Sequence, residues 1–103
     1  MKVFNPGTLK APSANFSTGI AGIPCAVELF LGPNAATKVA TSGIIEYTST
    51  GGIDTIQLPI VMPSVSALYK VYVDFYINGE LAKGFVGTED VAVPNVEFGG
   101  ITW

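Results

Sequence analysis

The chain has 103 residues and a net charge of −3, and only 13% of its residues are charged, about half the usual share of roughly 25%. A chain of this length forms one domain with one hydrophobic core. It contains neither histidine nor arginine, and its five lysines are scattered. These features argue against a nucleic-acid site, an anionic membrane surface, enzyme activity, a metal centre or a bound cofactor.

The low charge leaves two interpretations open. In the first, the exposed faces of one well-packed domain carry Thr, Ser and Asn in place of charge. In the second, part of the outer surface is buried against other subunits. Cys25 is alone, so it forms no internal disulfide, and we expect it to be a small buried hydrophobe. No signal peptide is visible at the start of the chain, and no apolar stretch is long enough for membrane insertion.

Residues 1–15 are rich in Pro, Gly, Ser and Asn and show no sustained hydrophobic period. They predict an extended N-terminal arm that precedes a β-sandwich domain over residues 16–103. We expect this arm to cross to a neighbouring subunit, while the domain folds without it.

The next segments alternate in hydrophobicity with a period of two, which is typical of strands with one buried face. Pro59 lies inside one of them, where a central strand could not lose a backbone donor, so it predicts a sheet edge or a bulge. Pro24 is expected to end the first strand. The predicted strands cover residues 16–23, 25–31, 36–41, 44–49 and 53–62.

Residues 69–87 form the clearest predicted element, a hairpin whose strands are joined by Asn78-Gly79. Both turn residues tolerate positive φ, as a type I′ turn requires. A two-residue loop with regular pairing places Asp74 opposite Lys83 and Tyr72 opposite Phe85.

The last segment, 91–103, changes hydrophobic phase at Pro94-Asn95 and again at Gly99-Gly100, which predicts bulges or bends there. No helical period persists anywhere. About seven short strands at spacings of about ten residues predict an all-β fold, a two-sheet antiparallel sandwich.

Residues 24–93, with PCAVELFL, TIQLPIVMP and YKVYVDFYINGELA, resemble the immunoglobulin-like sandwiches of prokaryotic surface proteins and phage virion proteins. The resemblance implies a Greek-key sandwich that works by binding or assembly, with Tyr69 or Tyr72 as a tyrosine corner. The Cys, Trp, Cys set of antibody domains is absent.

Two functions are therefore expected. The first is a non-enzymatic structural or decoration subunit of a larger assembly, such as a phage or archaeal virion, whose partners are other copies or other structural proteins. The alternative is a monomeric cell-surface module that binds glycan or protein through an aromatic sheet face of Tyr72, Tyr76 and Phe85. Both place the protein in a virion or on an extracellular surface.

Overall fold

A computed structural model describes residues 5–64, 69–86, 89–90 and 97–102, with side chains described for 5–64 and 69–82. This part of the chain is all-β and contains no helix, so no helix in it could cross a membrane. The described residues contain ten strands: β1 Leu9–Lys10, β2 Ser13–Ser17, β3 Ala21–Gly32, β4 Ala40–Thr50, β5 Asp54–Gln57, β6 Ile60–Val61, β7 Lys70–Ile77, β8 Glu80–Val86, β9 Glu89–Asp90 and β10 Glu97–Thr102.

The strands form antiparallel sheets that face each other. One sheet has five strands in the order β4-β3-β7-β8-β9. The other has the order β10-β2-β5, and the β1-β6 pair continues it. The pairs Leu9 with Val61 and Phe16 with Asp54 keep one register, so β1 and β2 form one line against β5 and β6. We call these five short strands together the three-stranded sheet, because β1 with β2 and β5 with β6 each form one line of it beside β10.

Two prolines interrupt this long ladder without shifting it. Pro12 separates β1 from β2, and Pro59 separates β5 from β6. The Leu58 N–H still donates to the Pro12 carbonyl at 2.8 Å, which holds the two lines together across the gap. Within the described residues β5 and β6 pair on one side only, so Pro59 lies at a sheet edge, as predicted.

The N-terminal segment is part of this sheet and not a separate arm. The boundary predicted at residue 15 lies inside β2, and the side chains of Pro12 and Ala14 are buried. The prediction that the arm crosses to a neighbour is therefore wrong for residues 9–15, whose backbones pair with β5 and β6 of the same chain. Their removal would strip a strand from the sandwich.

Strand β3 is longer than predicted because Pro24 does not end it. The chain breaks earlier, around Ile20, where the Thr18 hydroxyl donates to the Ile20 carbonyl at 2.8 Å. Pro24 lies where the register between β3 and β4 shifts, and its carbonyl accepts from the Asn78 N–H at 2.9 Å. A bulge therefore accommodates the residue that lacks a donor.

Strand β4 is one strand where the sequence predicted two. Gly43 has a φ of 72°, and the register against β3 shifts between Glu28 and Phe30. Since glycine adopts positive φ without steric cost, Gly43 forms a bulge within a continuous strand instead of a turn between two strands.

The hairpin turn is confirmed. Ile77 pairs with Glu80, and the φ angles of Asn78 and Gly79 are 52° and 81°, as a type I′ turn requires.

Beyond the turn, however, β8 contains an extra residue. Tyr76 pairs with Leu81, but Phe75 pairs with Lys83. Asp74 therefore lies opposite Gly84 and Tyr72 opposite Val86. The predicted pairs of Asp74 with Lys83 and Tyr72 with Phe85 are wrong by one residue because of this bulge.

The last strand confirms one of the two predicted irregularities. The register between β10 and β2 shifts between Phe98 and Ile101, where Gly99 and Gly100 lie. Pro94-Asn95, the other predicted bulge, lies outside the described residues.

The core lies between the two sheets, which makes the fold sandwich-like. The rings of Phe16 and Phe75 meet across the gap with centroids 4.9 Å apart. Cys25 is only 4% exposed, which confirms its predicted burial. The buried hydrophobic cluster comprises Ala14, Phe16, Cys25, Val27, Leu29, Leu31, Leu58, Ile60, Met62, Val73 and Phe75.

Phe16→Ala should lower the free energy of unfolding by about 3–5 kcal/mol, because it removes a fully buried ring and leaves a cavity at the contact between the sheets. Urea denaturation followed by circular dichroism measures this loss. The matched control Val39→Ala removes an exposed side chain and should change stability by less than about 0.5 kcal/mol. Equal losses in the two variants would contradict the assigned core.

Candidate interaction faces

The outer face of the five-stranded sheet is built from rows of cross-strand neighbours. The residues of β3 and β7 that alternate with the core residues lie on this face. Successive rows are Glu46-Ala26-Tyr76, then Glu28-Asp74, then Thr41-Phe30-Tyr72. Three carboxylates and three aromatic rings therefore share one surface.

Glu28 is the most buried charged group on this face. Its side chain is 8% exposed, and its carboxylate accepts from Lys38 Nζ at 2.7 Å and from Thr41 Oγ1 at 2.6 Å. Burial alone would raise the pKa of Glu28, but the two hydrogen bonds and the Lys38 charge together lower it. The hydrogen bond to Glu28 in turn raises the pKa of Lys38.

A folded loop brings Lys38 to Glu28. The loop between β3 and β4 closes with a bridge between Asn34 and Thr37, and the Val39 N–H donates to the Leu31 carbonyl at 2.8 Å. The Thr37 carbonyl lies directly over Gly32, where a Cβ would overlap it. Only glycine at position 32 lets the loop fold back this far.

The Lys38 ammonium also contacts an aromatic pair. Phe30 and Tyr72 stack with ring centroids 5.0 Å apart and an interplanar angle of 12°. Lys38 Nζ lies 4.9 Å from the Phe30 centroid, within cation–π range. The ammonium group is thus held by a carboxylate and a ring together.

Tyr72, Tyr76 and Phe85, the residues predicted as an aromatic interaction face, differ in burial or in register from what that prediction requires. Tyr72 is only 6% exposed beneath this cluster, whereas Tyr76 is half-buried. Phe85 is in register with the core residue Val73 and not with Tyr72, because of the β8 bulge. Of the two whose side chains the structure describes, Tyr76 offers accessible ring surface and Tyr72 does not, and the aromatic binding face stays a prediction.

The outer face of the three-stranded sheet differs from the charged face of the five-stranded sheet, because its outward positions in β1, β2, β5 and β6 are uncharged. Leu9 and Val61 are cross-strand neighbours and are 68% and 55% exposed. Further along, the Thr55 hydroxyl donates to Asn15 Oδ1 at 2.7 Å. The outward positions of β1, β2, β5 and β6, together with the Leu58–Pro59 and Ala11–Pro12 links, carry no ionisable side chain: Leu9, Ala11, Ser13, Asn15, Ser17, Thr55, Gln57, Pro59 and Val61.

Sequence reasoning missed the Glu28–Lys38 pair. Lys38 reaches Glu28 through a loop, so no strand period connects the two residues. The described residues contain no group of three or more His, Cys, Asp or Glu side chains that could hold a metal ion. Burial raises the pKa of the Cys25 thiol, which keeps it protonated and poorly nucleophilic.

Comparison of the chain with family models, with curated protein sequences and with solved structures finds no match.

Glu28→Gln should lower the free energy of unfolding at pH 7 by about 1–3 kcal/mol, because it weakens two hydrogen bonds to a charged group. Since the fold lowers the pKa of Glu28, the contribution of this carboxylate is present above its unfolded pKa and is lost as pH falls through its folded pKa. Urea titrations from pH 7 to pH 3 should show wild type and variant converge. Glu46→Gln, an exposed control, should differ little from wild type at any pH, and a constant Glu28→Gln gap would contradict the coupling.

Gly32→Ala should displace the loop that carries Lys38, because its Cβ would overlap the Thr37 carbonyl. We expect a loss of about 1–3 kcal/mol and a rise in the pKa of Glu28 toward its ordinary value, measured by NMR titration of its carboxyl carbon. Gly52→Ala, at a site with open space, is the matched control. An unchanged Glu28 titration in Gly32→Ala would show that the loop does not depend on this glycine.

Proposed function

We propose that the chain is an immunoglobulin-like sandwich that serves as a non-enzymatic structural subunit of a larger assembly. It packs against other copies of itself through the outer face of the three-stranded sheet. The absence of ionisable side chains from the outward positions of β1, β2, β5 and β6 carries this proposal.

The strand order supports the immunoglobulin-like assignment. Such domains place strands A, B and E in one sheet and C′, C, F and G in the other. Here the order β10-β2-β5 corresponds to A-B-E, and β4-β3-β7-β8 corresponds to C′-C-F-G. Position A is occupied by β10, which follows the other strands in the chain.

The chemistry of the face favours burial against a protein. Hydroxyl and amide groups cost much less to remove from water than ions do. The exposed Leu9 and Val61 side chains add apolar area that gains from burial. The opposite sheet, with its carboxylates and Lys38, would be costlier to cover.

The sheet edge supports a closed assembly over a fibre. Pro59 lies at the edge formed by β5 and β6 and has no backbone N–H to offer to an added strand. Continuous edge-to-edge pairing is thereby discouraged, which leaves contacts between faces.

The resemblance to virion modules supports a phage or archaeal virion as the context of this assembly. The alternative function is a monomeric surface module that binds glycan or protein through Tyr72, Tyr76 and Phe85; of the two with described side chains, Tyr72 is buried and Tyr76 is half-buried. The oligomeric state in solution separates the two proposals.

Sedimentation velocity between about 10 and 500 μM tests the proposal. Wild type should show concentration-dependent association, and the double variant Leu9→Lys, Val61→Lys should sediment as a monomer with an unchanged circular dichroism spectrum. The control Val39→Lys places a charge on the β3–β4 loop and should associate like wild type. A wild-type chain that stays monomeric at the highest concentration would overturn the proposal.

A further inference from the structure

A concavity of about 390 Å³ lies where β3 and β4 run beside the hairpin turn at Gly79. Its volume falls within the range of roughly 300–1,000 Å³ that is typical of ligand sites. It is lined by Pro24, Cys25, Ala26, Glu46, Tyr47, Thr48 and Gly79.

Ala26 also lies at the centre of a row of cross-strand neighbours that extends beyond this concavity, whose lining does not include Tyr76. Glu46 and Tyr76 are the two cross-strand neighbours of Ala26. Since adjacent strands lie about 4.8 Å apart, a carboxylate and an aromatic ring flank a gap of about 10 Å with a methyl group as its floor. We call this row the Ala26 furrow.

Exposed apolar side chains border the furrow on both sides. Leu81, the neighbour of Tyr76, is 60% exposed, and Ile44 of β4, which is in register with Glu28 in the next row, is 58% exposed. A segment lying in the furrow would bury both, which is where apolar stabilisation would come from.

The charge around the furrow is negative. Glu28 and Asp74 form the next row; Lys38 forms an ion pair with Glu28, and its charge also attracts Asp74. Lys70 is in register with Gly32, about 20 Å from Tyr76 along β7. Among the residues of these two rows whose side chains are described, the three carboxylates of Glu28, Glu46 and Asp74 therefore face one lysine, Lys38.

The neighbouring Lys38 site shows which group such a surface binds. There an ammonium group contacts the Glu28 carboxylate at 2.7 Å and lies 4.9 Å from the Phe30 centroid. The Ala26 furrow has the same components, a carboxylate and an aromatic ring, but no cation from its own rows. We propose that the furrow docks a lysine- or arginine-bearing segment of a partner protein, whose cation lies between Glu46 and Tyr76.

A direct test uses two blocked pentapeptides, one with lysine at positions two and four between valines, and a twin with glutamate in their place. The protein is the monomeric variant Leu9→Lys, Val61→Lys, or wild type if that is monomeric. Titrations followed by amide NMR should show that only the lysine peptide binds, with shifts centred on Ala26, Glu46 and Tyr76. Binding should weaken with added salt.

Two variants locate the site. Glu46→Lys, at an exposed position, should weaken binding of the lysine peptide at least about tenfold, and Ala26→Leu should do the same by filling the floor. The control Thr55→Lys lies on the other sheet and should leave the affinity unchanged. Equal binding of the two peptides, shifts elsewhere, or no binding at millimolar peptide would overturn the proposal.

A last experiment shows whether another protein or a second copy of this chain occupies the furrow. If Glu46→Lys abolishes the self-association of the otherwise wild-type chain, a second copy occupies the furrow and the proposal is wrong. Association that survives in Glu46→Lys leaves the furrow free for another protein. Because peptide binding is measured on monomeric protein, its failure and the failure of the assembly proposal remain distinguishable.

Discussion

The contact between Phe16 and Phe75 is the constraint on which the other features depend. Each ring is fully buried, and each fixes which residues of its strand point inward. With Phe16 inward, Leu9 and its alternating successors must point outward, which produces the uncharged face. With Phe75 inward, Asp74 and Tyr76 point outward beside Glu28 and Ala26. One aromatic contact thus determines the composition of both outer surfaces.

The two outer faces differ in the chemical groups that they carry. Over β1, β2, β5 and β6, one face has hydroxyl, amide and apolar groups without charge, and the other face holds an ammonium group between a carboxylate and a ring. Such a division lets one domain use two kinds of contact at once. Contacts through the uncharged face depend on apolar area and tolerate salt, whereas contacts through the charged face gain specificity from charge and weaken with salt.

The sequence predicted features that depend on neighbouring residues. The period-two alternation, seen in the buried Leu58, Ile60 and Met62, and the Asn78-Gly79 turn depend on local sequence alone, and both are observed. The bulge in β8 could not be predicted, because the extra residue is set by packing across strands. Lys38 reaches Glu28 only because the Thr37 carbonyl fits over Gly32, a contact that no periodic pattern shows. The N-terminal segment was misassigned because Pro12 obscures a ladder whose partner lies more than forty residues later.

The position of β10 beside β2 has a mechanical consequence. Ser13 pairs with Thr102, and Ser17 pairs with Glu97, so the start of one strand lies next to the end of the other. Tension applied before β1 and after β10 would break the hydrogen-bonded pairs of this ladder one after another, starting at the pair of Ser13 with Thr102. Resistance to such tension is low compared with shear, in which all pairs share the load together. The domain would therefore transmit little tension between β1 and β10.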